Sequence, residues 1–563
     1  PNSPDGVSAG ADAGKGCENM KITFRGNTDP LADGIRILFG DQEALEGKEV
    51  VVDRCARGFR ISVTADAAQI TYHKPNDFFR ALTIARAALA KGTALSLEQC
   101  PAFDSCGIMI DASRGAVPKV GTVKEIMKRM ARMGLNRLML YTEDVYELEK
   151  YPYFGYMRGR YTQAELREIS DFGNQLGIES VPCIQTLAHL SRALRWPAFA
   201  EVRESPDILF IGEEKTYELI EEMIRTMRGC FTTDQIHIGM DEAHSVGLGR
   251  YLEKHGYTDR FALLSQHLER VVRIAEQYGF KPMMWSDMFF RLGSSAGDYY
   301  DMDAKLPERI ARLIPKGVSQ VYWDYYNHDE AVYETMIREH RKMECPIIFA
   351  GGVWTWGGPS VNYRQTFAST LPALRVCREQ GIRHVFATMW GDDGSECDVT
   401  QALYGMQLYA ECCYQDSLSE EGLNRMFRLC NGCDAEVFRL FGTEDWETMP
   451  TQPTGRYSFR NMENRIPTVS KQVLYQNPMP GLFDRNFKTL DLKAHYTELY
   501  ERFEKVCAPP EFAALCGCHR QLLKVLKDKC DMGIRIRNAY EAKDIPRLAV
   551  LAAELEQLAG ETA

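Results

Sequence analysis

The sequence predicts an α/β protein whose largest part is a (β/α)8, or TIM, barrel. From Gly107 onwards, short apolar runs alternate with amphipathic patterns of helical period, which is typical of βα units in a parallel sheet. Eight such units over roughly 300 residues match the size and strand count of this barrel. Because no Gly-x-Gly-x-x-Gly turn follows the first run, a doubly wound nucleotide-binding sheet is disfavoured.

Each barrel strand is predicted from a short apolar run that ends in polar residues. The predicted strands are Gly107–Asp111, Arg137–Tyr141, Ile178–Ile184, Gln235–Gly239, Lys281–Trp285, Val318–Trp323, Pro346–Ala350 and His384–Met389. Two helices between them carry end signals. Gly134 follows an apolar stripe of helical spacing as a C-cap, and Thr162 with Glu165 forms a capping box.

Pattern and composition divide the chain into four parts. They are a disordered lead at 1–19, a small α+β domain at 20–102, the barrel at 103–415 and a mainly α-helical C-terminal region at 416–563. The α+β domain is predicted from strand-like runs at Glu49–Asp53 and Phe59–Val63 and a helix at Asp77–Lys91. Helices are expected at His519–Met532 and Pro546–Leu558, and the stretch 450–485, rich in Pro, Asn and aromatic residues, is predicted to be a long loop.

Composition narrows the class of ligand. The chain has 563 residues, 45% hydrophobic and 26% charged, with a formal net charge of −11. An acidic surface opposes nucleic-acid and anionic-membrane partners, and no run approaches the roughly 18 apolar residues of a membrane helix. A small neutral or polar ligand is favoured.

The 17 cysteines are odd in number and scattered along the chain. Several, such as Cys183 and Cys377, lie inside apolar patterns, which indicates reduced buried thiols and a reducing cytoplasm. The lead also lacks the apolar segment of a signal peptide, although a sequence that begins at a proline is also compatible with a secretion signal that has been removed. Cys430-x-x-Cys433 and Cys516-x-Cys518 have no well-spaced partner pair, so no metal site and no cofactor are expected.

The fourth predicted strand leads into two adjacent carboxylates, Asp241 and Glu242. Such a pair suits acid/base chemistry, since an ionised Asp241 would raise the pKa of Glu242 and keep it protonated near neutral pH. Taken alone, an Asp-Glu at a strand end is more often a solvated loop start or a helix N-cap.

Context comes from the other strand ends, where active sites of this barrel lie. The polar and aromatic residues that follow the strands are Asp111, Arg114, Glu143, Asp144, Gln185, His189, Asp241, Glu242, Trp285, Asp287, Trp323, Asp324, Tyr325, Tyr326, Trp354, Trp356, Trp390, Asp392, Asp393 and Glu396. Five of the seven tryptophans stand in this set. Indole rings stack on pyranose faces while charged groups bind hydroxyls, so the pattern predicts a carbohydrate hydrolase.

These residues resemble the family 20 glycoside hydrolases, which are exo-acting β-N-acetylhexosaminidases. His237-Ile-Gly-Met-Asp-Glu242 is similar to the family's His-x-Gly-x-Asp-Glu signature, with Met240 where a second glycine is common. Arg114 resembles the arginine that grips sugar hydroxyls. Met284-Trp-Ser-Asp-Met288 and Met389-Trp-Gly-Asp392 resemble the tryptophan motifs after strands five and eight, with Asp392 in place of a glutamate.

The resemblance implies removal of terminal non-reducing β-linked GlcNAc or GalNAc from a glycan by retaining, substrate-assisted catalysis. Glu242 would be the general acid and base, and Asp241 would orient the acetamido group. Trp285, Trp323 and Trp390 would wall the sugar, and Asp392 with Arg114 would hold its 4- and 6-hydroxyl side. Further substrate-binding candidates are Glu143, His189, Trp354 and Trp356.

Two departures from the family pattern stand out. Gln185 occupies the place of an aspartate four residues before His189, so the charge relay around Glu242 is expected to differ. The tyrosine that many members place after strand seven is missing from Gly352-Val-Trp-Thr-Trp356. Tyr325 is the predicted catalytic replacement and Tyr326 the fallback. A divergent, bacterial-type, cytoplasmic branch of the family is the expectation.

Two other functions are compatible with the barrel. His237, His244 and Asp241 suggest a metal-dependent hydrolase, although such sites need several histidines from different strands. A catalytically silent sugar-binding barrel is the third class, but it has no need of both rim carboxylates. A homodimer is compatible with a barrel that carries an appended helical region.

Overall fold

The computed structural model describes residues 22–40, 47–294, 299, 302, 306–392, 394–445, 468–487 and 490–562. The predicted lead at 1–19 lies outside these ranges and stays a prediction. So do residues 450–467 of the predicted loop and the strand-end residue Asp393.

The predicted barrel is confirmed. Its strands, all paired in parallel, are β6 (Ser105–Asp111), β7 (Arg137–Tyr141), β8 (Glu179–Cys183), β9 (Gln235–His237), β10 (Lys281–Trp285), β11 (Ser319–Trp323), β12 (Ile347–Gly352) and β13 (His384–Met389). Pairing of β13 with β6 closes the ring. All eight apolar runs form strands because both faces of each strand are buried, one in the barrel and one under helices.

One apolar cluster fills the barrel and continues into the aromatic residues at the strand ends. It includes Met109, Met139, Val181, Met283, Val321, Ile348 and Phe386, together with Trp285, Trp323, Tyr325, Trp354, Trp356 and Trp390. The rings at the mouth therefore stand on the packed interior, which limits their movement.

Helices surround the barrel, and the two end signals that the sequence carries lie where they were predicted. The helices are Val120–Met133, Gln163–Gln175, Ser191–Leu194, Glu214–Cys230, Arg250–His255, Arg260–Gln277, Asp287–Gly293, Glu308–Ala311, Glu330–Arg341 and Tyr363–Glu379. Gly134 caps the first at a φ of +89°, and the Thr162 hydroxyl accepts the Glu165 N–H at 3.2 Å.

The N-terminal sheet consists of β1 (Ile22–Gly26), β2 (Lys48–Arg54), β3 (Phe59–Val63), β4 (Ala67–Tyr72) and β5 (Leu95–Gln99), in the order β1-β2-β4-β3-β5. Its helices are Ala32–Phe39 and Pro75–Ala90. The second of these is almost wholly buried, since it lies between the sheet and the barrel.

Arg80 of the buried helix joins three parts of the chain. Its guanidinium forms a two-pronged ion pair with Glu411 at 2.9 and 3.0 Å and donates to the Met133 carbonyl at 2.8 Å. It also lies 4.5 Å over the Tyr414 ring. Both charged side chains are fully buried, so each needs the other.

The C-terminal region is helical, as predicted. Its α-helices are Glu420–Asn431, Ala435–Arg439, Val469–Tyr475, Leu492–Glu504, Ala513–Lys529, Met532–Glu541 and Ile545–Thr562, and they follow the last helix of the barrel, Leu403–Tyr414. Short 3-10 turns lie at Asp484–Asn486 and Pro510–Phe512 in this region, and at Asp29–Leu31, Pro197–Phe199 and Val399–Ala402 earlier in the chain. The prediction of an uninterrupted loop at 450–485 was wrong in its described part, where Val469–Tyr475 is helical. At the start of this helix the Ser470 N–H donates to Asp445, which lies 25 residues earlier in the chain. Local composition does not reveal such a long-range contact.

The helix Val469–Tyr475 also contacts a loop at the barrel mouth. Lys471 Nζ lies 3.0 Å from one oxygen of Glu396, and the Tyr475 hydroxyl donates to the other at 3.0 Å. Glu396 follows strand β13, a few residues beyond Asp392. The C-terminal region thus supports the loop that carries Asp392.

The described cysteines are all free thiols, as their scattered pattern predicts. Within the described ranges, none of the helices is both long enough and apolar enough to cross a membrane.

Replacing Arg80 with methionine should lower thermal stability strongly. The change leaves Glu411 buried without its partner, and breaking a buried ion pair costs about 3–5 kcal/mol. Thermal melting followed by circular dichroism measures the effect. The double variant Arg80→Met/Glu411→Met should recover much of the loss, and equal melting temperatures for the single and double variants would contradict the proposed pairing.

Candidate active site

The predicted site residues all lie at the C-terminal mouth of the barrel, linked by contacts through neighbouring side chains. They are Arg114, Glu143, His189, Asp241, Glu242, Trp285, Trp323, Tyr325, Trp354, Trp356, Trp390 and Asp392. Their roles in catalysis and binding remain proposals.

The turn after β9 sets the two carboxylates side by side. Gly239, Met240 and Glu242 all have positive φ values, +70°, +73° and +51°. At Gly239 a Cβ atom would lie 2.0 Å from the Gln185 side-chain oxygen, so this position requires glycine. Met240 adopts a backbone conformation that favours glycine, and such backbone strain is concentrated at functional sites.

Asp241 is held by two side chains from the strand β8 loop. Gln185 Nε2 donates to Asp241 Oδ1 at 2.8 Å, and His189 Nε2 lies 3.1 Å from Oδ2. Burial raises the pKa of Asp241, but the charge of His189 and these hydrogen bonds outweigh it, so the pKa lies below its ordinary value. Asp241 is therefore ionised at neutral pH.

Gln185 presents an oriented amide to Asp241. Its oxygen accepts the Met240 N–H at 3.3 Å, which leaves Nε2 to donate both to Asp241 and to the Tyr141 hydroxyl at 2.8 Å. An amide fixes Asp241 in place without adding a second negative charge.

His189 carries the positive charge of this cluster. Burial lowers its pKa, but the Asp241 carboxylate dominates and raises the pKa to about 9. The same Nε2 lies 3.5 Å from Glu242 Oε2. Burial raises the pKa of Glu242, His189 lowers it and Asp241 raises it, and the result lies above the ordinary value. The pKa values of the two neighbouring carboxyl groups thus shift in opposite directions, which suits them to different roles in acid/base chemistry.

Asp287 is a contributor that the sequence showed only as a strand-end residue. Its carboxyl accepts the Glu242 N–H at 3.0 Å and the Trp323 indole N–H at 3.3 Å. Full burial, with Asp241 nearby, raises its pKa well above the usual range. Asp287 therefore ties the backbone of one carboxylate to a ring of the aromatic wall. The sequence signal that could have indicated this role is the position of Asp287 two residues after Trp285, at the end of a barrel strand.

Tyr299 was missed altogether. It is buried, its ring lies 5.3 Å from that of Trp323, and its hydroxyl bonds to Glu242. It follows the helix Asp287–Gly293 rather than a strand, so a search of strand ends could not find it.

Arg114 lies at the centre of a group of charged and aromatic side chains on the other side of the mouth. Its guanidinium lies 3.2 Å from Asp111, 3.4 Å from Glu143 and 3.9 Å from Asp392, and it stacks over the rings of Tyr141 and Trp390 at 4.6 and 5.2 Å. Burial raises the pKa of Glu143 to about 7 despite the opposing effect of Arg114. This side of the mouth therefore offers both hydrogen-bond donors and hydrogen-bond acceptors to the hydroxyl groups of a ligand.

Aromatic rings form the wall over β10 to β13. Trp323 stacks on Tyr325 with centroids 5.3 Å apart, and Trp354 stacks on Trp356 at 4.3 Å. The Tyr325 ring meets Trp356 edge-on, and its carbonyl accepts the Trp354 indole N–H at 2.8 Å. Trp354 and Trp356 therefore hold Tyr325 in place.

The two histidines of the metal hypothesis have protein partners. His237 is fully buried, its Nδ1 accepts the Gly239 N–H at 3.1 Å and its ring packs on Trp285. His244 Nε2 lies 3.1 Å from the Tyr299 hydroxyl. Among the described residues, no group of three or more His, Cys, Asp or Glu side chains is arranged to hold a metal ion.

Two family models match the chain. One is the glycosyl hydrolase family 20 catalytic domain, over residues 103–304, and the other is the glycoside hydrolase 20C C-terminal domain, over residues 455–562. They fall on the barrel and on the helical region respectively.

Curated relatives are similar over part of their length. Human hexosaminidase D is 27% identical over 264 residues, 44% of this chain and 51% of that protein. Arabidopsis thaliana beta-hexosaminidase 1 is 23% identical over 288 residues, 46% of this chain and 53% of that protein. The match thus spans about half the length of these relatives.

Solved structures share the fold. A β-N-acetylhexosaminidase from Bacteroides fragilis gives a TM-score of 0.55 at 18% identity, covering 71% of this chain and 88% of its own. The family 20 enzyme from Streptomyces coelicolor gives 0.54 at 18% identity, covering 74% and 92%. With a catalytic-domain model on the barrel and a second model of the same family on the helical region, the chain belongs to glycoside hydrolase family 20.

Proposed function

We propose that this protein is an exo-acting β-N-acetylhexosaminidase that removes terminal non-reducing β-linked GlcNAc or GalNAc from glycans or oligosaccharides. The observation that carries the proposal is the adjacent pair Asp241 and Glu242, whose pKa values shift in opposite directions within one aromatic pocket. The names of the relatives support the same activity.

The proposed reaction is retaining and substrate-assisted. The acetamido oxygen of the substrate attacks C1 and forms a C1–O bond, while Glu242 gives its proton to the departing glycosidic oxygen as the C1–O bond to the aglycone breaks. Asp241 accepts the acetamido N–H and offsets the positive charge of the oxazolinium ring. Glu242 then removes a proton from water, which attacks C1 and reopens the ring.

His189 links the two carboxylates through this cycle. It stabilises ionised Asp241 throughout, and it lies close enough to stabilise Glu242 once that residue has lost its proton. Asp287 fixes the Glu242 backbone while its second oxygen holds Trp323. This contact fixes the backbone from which the Glu242 side chain extends.

The sugar is proposed to lie between two sides of the mouth. Arg114, Glu143 and Asp392 bind hydroxyl groups, while Trp285, Trp323 and Trp390 line the pyranose face and acetamido group. Tyr325 is proposed to bind the acetamido oxygen, with Trp354 and Trp356 behind it. The proposed partner is the glycan itself, and a homodimer and a cytoplasmic location are carried forward from the sequence as proposals.

Activity is expected on 4-nitrophenyl N-acetyl-β-glucosaminide without added metal, and it should survive a chelator. Loss of activity with chelator would favour the metal-dependent hydrolase, and absence of turnover would favour the silent sugar-binding barrel. Parallel assays with the GalNAc substrate measure the preference between the two sugars.

Glu242→Gln should lower kcat by about 10²–10⁴-fold on substrates with poor leaving groups, because the departing oxygen loses its proton donor. Asp241→Asn should lower it by about 10²–10³-fold through loss of charge stabilisation. Glu269→Gln, an exposed carboxylate on an outer helix, is the matched control. A fully active Glu242→Gln enzyme would disprove the acid assignment.

Gln185→Glu should move the acidic limb of the kcat/KM profile to higher pH. The change places a second carboxyl group about where the amide now donates to Asp241, and two close carboxylates bind a shared proton more tightly. Gln185→Leu, which removes the hydrogen bond without adding a charge, separates the two effects. An acidic limb at the same pH in wild type and Gln185→Glu would show that Asp241 does not control it.

KM is expected to fall as pH rises through about 7, where Glu143 ionises. The ionised carboxylate accepts a stronger, charge-assisted hydrogen bond from a sugar hydroxyl than the neutral acid does. Glu143→Gln should keep a high KM across this range. If the same inflection persists in that variant, another group is responsible.

A further inference from the structure

A cavity extends outward from the proposed sugar-binding residues at the barrel mouth. Its volume is about 1000 Å³, and its inner end is formed by Arg114, Glu143 and His189. These residues follow strands β6, β7 and β8, across the barrel from the aromatic wall over β11 and β12. The cavity therefore meets a bound sugar on the hydroxyl side that Arg114 is proposed to hold.

The outer wall of this cavity is strongly basic. Arg158, Arg192 and Arg195 line it, and with Arg114 and His189 they make five cationic side chains. The acidic lining residues are Glu143 and Asp207. In a chain whose net charge is −11, this is a local reversal of sign, and such a concave patch concentrates anions.

Asp144 lies buried beneath the arginines. Arg158 Nη1 is 3.6 Å from its carboxylate, and Arg192 and Arg195 also act to lower its pKa, which burial raises overall. One Asp144 oxygen has no hydrogen-bond partner. Its single charge does not balance the three guanidinium groups that surround it.

Arg192 and Arg195 have N–H groups that are available to a ligand. In the part of the chain that the structure describes, the guanidinium groups of Arg192 and Arg195 form no hydrogen bond or ion pair with a carboxylate, and Arg195 stacks 4.8 Å over Trp196. Arg158 differs, because it is half-buried and donates to the Ser113 carbonyl. It anchors the wall while the outer pair remains open to a ligand.

Aromatic side chains extend the cavity onto the surface. Trp196 contacts Tyr153 and Tyr156 at centroid distances of 5.8 and 5.3 Å, and both tyrosines are almost half exposed. Met157, 79% exposed, lines the cavity beside them. Exposed rings beside arginines suit a sugar that carries a negative charge, because the ring face stacks and the oxyanion pairs.

We propose that this cavity is a subsite for an anionic group of the glycan, either a sulfate ester or a uronic-acid carboxylate, and that it makes the enzyme selective for acidic glycans. Arginine matches both oxyanions because its planar fork donates two parallel hydrogen bonds. The inference rests on the proposed hexosaminidase function and names its substrate class.

The test compares charged and neutral substrates in wild type and in the double variant Arg192→Gln/Arg195→Gln. One arm uses 4-nitrophenyl N-acetyl-β-glucosaminide and its 4- and 6-sulfate esters. The other uses disaccharides in which GlcNAc is β-linked to glucuronic acid or to glucose. Arg273→Gln/Arg312→Gln, which removes two exposed arginines outside the cavity, controls for total charge.

In wild type, the ratio of kcat/KM for charged over neutral substrate should exceed one and fall as salt is added. The double variant should lower this ratio about tenfold, since each exposed charge pair contributes up to about fivefold. The control should leave the ratio unchanged. A fall confined to the sulfate esters places the anion on the terminal sugar, and a fall confined to the uronide places it on the aglycone.

An unchanged ratio in the double variant would overturn the subsite even if the neutral substrate is hydrolysed well. If wild type hydrolyses none of the substrates, the proposed function fails instead. The subsite is then tested by calorimetric binding of GlcNAc 6-sulfate and GlcNAc 4-sulfate against GlcNAc. Equal affinities for the charged and neutral sugars would overturn it.

Discussion

The requirement to keep one carboxylate ionised inside the barrel mouth organises the rest of the site. Asp241 is only 8% exposed, and a charge in such a place costs several kcal/mol unless it is paired. The His189 cation and the Gln185 amide meet that need. The pKa values of Glu242 and Asp287 are raised mainly by burial, and the negative charge retained on Asp241 raises both further.

The backbone carries a cost for this arrangement. Met240, Glu242 and His189 have positive φ values without being glycine, a conformation that costs about 1–2 kcal/mol per residue. The closed barrel and the apolar cluster beneath the mouth make such strain tolerable, because they leave the turn no relaxed alternative. The stability of the fold thus holds the strained turn in place, and the turn fixes the directions of the Asp241 and Glu242 side chains.

The fold was predictable from the sequence because each barrel strand is a local apolar run, and the rim residues followed because they come directly after those runs. What the sequence could not reveal depends on contacts between distant positions. Asp287 bridges Glu242 and Trp323. Tyr299 packs on Trp323 although it does not directly follow a barrel strand in the sequence. The basic cavity combines side chains from several loops. The helix Val469–Tyr475 was predicted as loop because its stabilising contact comes from Asp445.

The contact of Lys471 and Tyr475 with Glu396 bears on how proteins of this architecture evolve. Because this helical region contacts and supports a barrel loop near Asp392, it cannot be exchanged between barrels without consequence for the site. Exchange with the corresponding region of a distant relative would bring new side chains under that loop and alter the geometry of the mouth. The two regions are therefore expected to be inherited together and to change in step, with specificity shaped partly from outside the barrel.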